Sequence, residues 1–264
     1  MADTDAVHGA GLPDRLTPAP LPTSPGPPAA EPEAVMTLVD HLTELRTRIV
    51  RAILAVIVGS LIGFLVAPAI RQFLVAPLPA SALPLQVLGP GDAFGIQLRI
   101  SVVVGIILAM PVLLYQLWAF VSPGLTPTER RALRPWIPLA LFFFVLGVSI
   151  AYAILPFAIG FLLAFTDQVI VAHLAAPPYF DFVTTMFLAF GLLMEFPIVL
   201  YALAKVGIVS SARLSSSRRM IILGIAIFAA VATPGGDLVS PTILGGTMYI
   251  LFELTVIAIR RGGR

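Results

Sequence analysis

The side chains in this sequence whose types and placement could do chemistry are mainly acids set in or beside apolar runs. Glu195 stands in AFGLLMEFPIVL, where an ionised carboxylate at bilayer depth costs at least ~2.5 kcal/mol. Pro197 follows two residues later, and its ring removes the amide hydrogen that would bond the Leu193 carbonyl. An acid and a freed backbone acceptor are therefore expected together. Two roles suit Glu195: an intramembrane functional group, or a neutral carboxyl holding two helices by a hydrogen bond.

Glu44 lies in TLVDHLTELRTRIVR, whose Leu38, Leu42, Leu45 and Ile49 fall on one helical face. The other face carries Asp40, Glu44, Arg48 and Arg51. The spacing predicts an amphipathic helix with its apolar face at the lipid headgroups and Glu44 toward the cytoplasm. Glu44 four residues before Arg48 also reads as a surface ion pair worth a few tenths of a kcal/mol. Thr126 and Glu129, with Pro127 between them, form a capping box with proline at the first helical position. The second loop is thus open to two readings, one of which makes Glu129 simply a helix start and Phe120, just past Trp118, an interfacial aromatic anchor. Asp237, in TPGGDLVSP, is expected to be exposed in a turn, with a role in a functional loop left open. Glu253 is expected to pair with Arg260 or Arg261 by snorkelling, and Arg99 to reach water from the outer end of its span.

Other chemistries lack their parts. There is no cysteine, and His8, His41 and His173 all fall outside the apolar segments, so no intramembrane Ser–His or His–metal set is expected. No Walker loop or dinucleotide fingerprint is present. The reading is of a chain without enzyme activity, metal or cofactor.

The positioning elements follow from composition. Of 264 residues, 58% are apolar and 11% charged, far from a soluble domain with about a quarter charged. The expected fold is all-α and polytopic, with six membrane helices at about 52–67, 94–120, 136–156, 179–204, 220–232 and 242–259. Residues 1–34 are rich in Pro and Ala and read as a disordered cytoplasmic tail without a cleaved targeting signal, leaving 35–264 as one membrane domain. Lys and Arg cluster before the first span, in the second and fourth loops and at the carboxyl end. By the positive-inside rule these parts and both termini are cytoplasmic. The net charge of +2 gives no reason to expect a nucleic-acid partner. A seventh span within 157–165 would put the last clusters on the wrong side, so that stretch is assigned to an extracytoplasmic amphipathic element. The fifth segment, about 13 residues between Arg219 and Pro234, makes roughly 20 Å of helix. The last two helices are therefore expected to be short and to pinch the local bilayer.

Several runs together carry a resemblance: H-L-x-E-L-R-x-R at 41–48, P-V-L-L-Y-Q-L-W-A-F-V-S-P-G-L at 111–125, E-R-R at 129–131, A-F-G-L-L-M-E-F-P at 189–197 and T-P-G-G-D at 233–237. In order, spacing and sidedness the chain resembles the TatC subunit of the twin-arginine protein translocase, over about 37–261. The resemblance implies a curved, glove-like six-helix scaffold in a prokaryotic inner membrane. It implies a receptor for twin-arginine signal peptides that helps export folded proteins on the proton gradient, in an oligomeric complex with the single-span TatA and TatB. By position, Glu44 and Glu129 look like the carboxylates that meet the signal's arginines, with Phe120 lining the same patch. Glu195 looks like the acid of the concave face, near an inserted signal or a partner helix. The chain departs from the family at Ser240-Pro241, where Ser-Gln is often found, and in its long amino tail. The rival reading is a proton-coupled small-solute transporter using Glu195. It would call for inverted repeats with matching broken helices, and the first and last three spans show no such match.

Overall fold

The computed structural model describes residues 38–79, 82–166, 173–233 and 237–261. The described residues from Val39 onward belong to one compact unit. The tail expected over 1–34 thus lies outside the described residues.

The regular elements named among the described residues are helices: α1 Leu38–Val75, α2 Asp92–Val121, α3 Pro127–Leu133, α4 Trp136–Leu163, α5 Ala176–Leu193, α6 Phe196–Lys205, α7 Ser211–Ser216, α8 Arg218–Ala232 and α9 Val239–Arg261. Membrane-length apolar spans run over Val39–Val75, Asp92–Gly124, Pro127–Leu163, Ala176–Lys205 and Val239–Arg261. The expected fifth segment forms the apolar helix α8, which has 15 residues, about 22 Å at 1.5 Å per residue against a hydrocarbon core of about 30 Å. Exposed Leu65 (80%) and Val231 (80%) would be a liability in water. On a lipid-solvated surface they are the expected solvent contact.

Four expectations need correction. The amphipathic segment and the first span are one uninterrupted 38-residue helix, α1, because no breaker separates Arg51 from Ala52. At about 57 Å it outruns the bilayer core, so its first turns project beyond the hydrocarbon. Residues 157–163 continue α4 through Pro156 rather than forming a separate element. Proline is tolerated inside a membrane helix when neighbours and local adjustments satisfy the freed group. The span expected over 179–204 is two helices, with Met194 and Glu195 forming the joint and Pro197 in the first turn of α6. Finally, α8 is short as expected but α9 has 23 residues, about 34 Å, so the short pair reduces to one short helix.

With lipid as apolar as leucine, helices associate through close packing and hydrogen bonds. Gly147 of α4 lies against the Phe190 carbonyl, and Gly191 of α5 against the Phe144 ring, with Phe144 and Phe190 fully buried. Gly59 and Gly63 of α1 face Gly105 and Ser101 of α2, two small-residue pairs each spaced by four. Tyr179 Oη donates to the Leu74 carbonyl at 2.6 Å, tying the end of α1 to α5, and Gln86 of the connection after α1 bridges to Ala175, just before α5. Arg99 of α2 bonds Thr184 (2.9 Å) and Thr185 (3.2 Å) of α5 and pairs with Asp181. It braces two helices, and 41% of its side chain stays exposed. α8 and α9 run antiparallel: Gly245 faces Ala229, where a Cβ added at Gly245 would sit 3.7 Å from Ala229 Cβ, and Arg218 pairs with Glu253 at 2.8 Å.

Candidate functional site

The amino end of α1 and the carboxyl end of α2 form a polar and aromatic patch. His41, Glu44 and Arg48, spaced by three and four, share one face of α1. Gln116 and Phe120, spaced by four, share one face of α2. The His41 and Phe120 rings stack with centroids 4.4 Å apart and planes 15° apart. Glu44 Oε1 accepts from Arg48 Nε at 2.9 Å and again from Arg48 Nη2. Arg48 Nη1 donates to Gln116 Oε1 at 3.4 Å. Glu44 Oε2 is buried, accepts no hydrogen bond from any described residue, and stands 3.9 Å from His41 Nδ1.

The expected Glu44–Arg48 pair is therefore present, but in a different setting. Both side chains are only 19% exposed, whereas Leu42 (64%) and Ile49 (49%) point outward. Leu42 and Ile49 of the apolar stripe therefore face outward, while Glu44 and Arg48 turn toward α2 and Asp40 and Arg51 stay exposed. In a low-dielectric setting a paired carboxylate interacts more strongly than on an open surface.

Phe120 leads into a 3-10 turn, Ser122–Gly124, and then α3. The capping box forms as the sequence indicates: Thr126 N–H donates to Glu129 Oε2 at 3.0 Å and Glu129 N–H to Thr126 Oγ1 at 3.4 Å. Arg130 donates to the Ser122 carbonyl from Nη2 at 2.8 Å and Nε at 3.3 Å, which folds the connection back on itself. α3 packs on α6, and beside it Trp136 stacks on Tyr201 at 3.7 Å. Lys205 Nζ lies 5.5 Å above the Tyr201 ring. Glu44 and Phe120 are thus joined through His41, while Glu129 sits on the short helix that the same connection leads into.

The other candidates lie elsewhere. Glu195 caps the joint of α5 and α6: its carbonyl accepts from Ile198 (3.0 Å) and Val199 (3.1 Å). Its Oε1 is buried with no hydrogen-bond partner among the described residues. Asp237 is 4% exposed, contrary to the exposed turn expected. Its Oδ1 accepts the Ser240 amide at 2.6 Å, because the first turn of α9 needs an acceptor for its free N–H groups. Glu253 pairs with Arg218 rather than Arg260 or Arg261; Arg260 donates to Ser215 Oγ at 2.5 Å. The antiparallel α8 start brings Arg218 to the depth of Glu253, while Arg260 lies two turns further on. Among the described residues no three His, Asp or Glu side chains group as metal ligands.

His41, Arg48 and Gln116 were not expected as members of the patch. The signal was available: 41, 44 and 48 align on one helical face, and Gln116 is a polar residue within PVLLYQLWAF, one turn before Phe120.

Residues 40–246 match the family model described as Sec-independent protein translocase protein (TatC). The TatC protein of Carboxydothermus hydrogenoformans is 34% identical over 222 residues, spanning 84% of this chain and 91% of the relative. That of Aquifex aeolicus is 35% identical over 226 residues, 84% of this chain and 93% of the relative. A crystal structure titled Twin Arginine Translocase Receptor-TatC superposes with a TM-score of 0.73 at 34% identity, covering 85% of this chain and all of that one.

Proposed function

The chain belongs to the TatC family of Sec-independent protein translocase proteins, and from that premise we propose that it is the receptor for twin-arginine signal peptides. It is a multi-pass membrane protein and a component of protein translocation rather than an enzyme. Family membership sets aside the solute-transporter reading of Glu195. In the proposed role, Glu44 and Glu129 meet the two arginines of the signal, and the stacked Phe120 and His41 rings line the surface beside them. The signal arrives from the cytoplasm, so this end of the helices faces inward in a prokaryotic cell membrane, with both termini on that side. TatA and TatB are the proposed partners and the proton gradient the driving force.

One observation carries the reading: Glu44 is held in fixed geometry beside an aromatic plate, with one carboxylate oxygen taking no hydrogen bond among the described residues. A guanidinium can engage a carboxylate by paired, charge-assisted bonds where an ammonium offers a point charge. The purified protein is expected to bind a twin-arginine peptide about tenfold more tightly than its twin-lysine counterpart. Equal binding of the two peptides, measured by fluorescence anisotropy, would remove the basis for the assignment.

Glu195 is proposed to offer its carboxyl to the apolar part of the signal or to a partner helix. Glu195→Gln, which keeps the hydrogen-bonding shape, is expected to retain export, and Glu195→Leu to lose it. Loss of export in the Gln variant would show instead that ionisation is required.

A further inference from the structure

Glu44 uses one of its two carboxylate oxygens. Both Nε and Nη2 of Arg48 converge on Oε1, whereas a guanidinium commonly spans both oxygens with two parallel bonds. Oε2 is left buried and without a hydrogen bond among the described residues. Arg48 meanwhile has a second acceptor within reach, Gln116 Oε1 on α2, at 3.4 Å from Nη1. An arginine that holds the receptor carboxylate from one side, with another resting place already touching it, has the features of an exchangeable partner.

We propose that Arg48 is an internal stand-in for the ligand's guanidinium: it neutralises Glu44 when no peptide is bound and yields the carboxylate to an incoming arginine by turning onto Gln116. The proposal rests on the reading of Glu44 as a signal contact. An incoming cation then meets a neutral pair rather than a free anion, and must outcompete a group that already matches the carboxylate. A simple competitor lowers the affinity of every ligand for Glu44 by the same factor. The ratio of arginine to lysine binding is therefore set by Glu44, and the threshold by Arg48. Its presence takes the lysine ligand below the working range while leaving the arginine ligand above it, so the discrimination that Glu44 supplies becomes an all-or-none threshold. Arg48 also keeps a partly buried carboxylate paired, so the free receptor does not carry an uncompensated charge.

The test titrates labelled twin-arginine and twin-lysine peptides into the full chain in detergent. Arg48→Gln is expected to tighten both peptides by the same factor, about tenfold, and to bring lysine-peptide binding into the measurable range. Gln116→Leu is expected to weaken both several-fold, since the displaced Arg48 loses its acceptor. The thermal stabilisation produced by saturating twin-arginine peptide is expected to be larger in Arg48→Gln than in the natural chain, because the ligand then supplies the only guanidinium for Glu44. If Arg48→Gln binds either peptide no more tightly while Glu44→Gln weakens both, Arg48 merely positions Glu44; the proposal fails and the receptor reading stands. If Glu44→Gln binds as the natural chain does, the receptor reading of Glu44 fails, and the proposal with it. Should Arg48→Gln not accumulate, Arg48→Lys keeps the charge but loses the fork; a smaller tightening of both peptides supports the proposal and a weakening overturns it.

Discussion

Glu44→Ala and Glu129→Ala are each expected to cut crosslinking of a twin-arginine peptide by about ten- to a hundredfold, the weight of one charge-assisted contact, with membrane insertion intact. The two variants fail for different local reasons. Removing Glu44 leaves Arg48, only 19% exposed, facing Gln116 with no carboxylate. A positive group then stands where the signal's arginine should dock. Removing Glu129 also breaks the capping box with Thr126, a loss of about 0.5–2 kcal/mol to α3. Glu129→Gln separates the two effects, since Gln supports the box but carries no charge. It is expected to preserve the fold of α3 while losing the peptide. A Gln variant that crosslinks like the natural chain would mean that Glu129 only starts a helix.

Gly59→Leu is expected to have the largest effect on the scaffold. A Cβ at Gly59 would sit 2.6 Å from the Gly105 carbonyl oxygen, and one at Gly63 would sit 2.5 Å from that of Ser101. Both obstacles are backbone, so α1 and α2 have to separate. Overpacking of this kind costs about 1–3 kcal/mol or more. Since α1 carries Glu44 and α2 carries Phe120, the separation also disassembles the patch. Thermal unfolding in detergent is expected to shift down by several degrees, with peptide binding lost in parallel. Gly95→Ala serves as the control, because its Cβ would meet nothing within 4 Å. Loss of binding in that control, or stable binding in Gly59→Leu, would count against this crossing as the support of the site.

How far residue order alone leads can be seen at particular positions. The Thr126–Glu129 box was legible because it depends on local spacing, and the structure forms it there; the apolar runs were legible as helices but not in their ends or breaks. The extent of α1 was less legible: polarity changes at Arg51, but a helix needs a breaker to stop, and none is there. At Glu195 the residue order indicates one span with a freed Leu193 carbonyl, whereas the chain closes α5 at Leu193 and starts α6 with Pro197 in its first turn. The partners of Arg218 and the burial of Asp237 depend on how α8 lies along α9, a tertiary fact that no local pattern encodes. The patch itself was half legible. Glu44 and Phe120 were found as candidates through the family resemblance, but the His41 ring that joins them needs the two helix ends to meet.

The claim on which the account depends is that this acidic and aromatic end of the helices faces the cytoplasm. The sequence has no cysteine, so Thr128→Cys, at an exposed position beside Glu129, places a single thiol on the proposed surface. With a membrane-impermeant maleimide, labelling is expected in inside-out vesicles and absent in intact cells, and saturating twin-arginine peptide is expected to slow it. Rapid labelling of intact cells with protection in inside-out vesicles would put the patch on the far side of the membrane from newly made cargo and contradict the account.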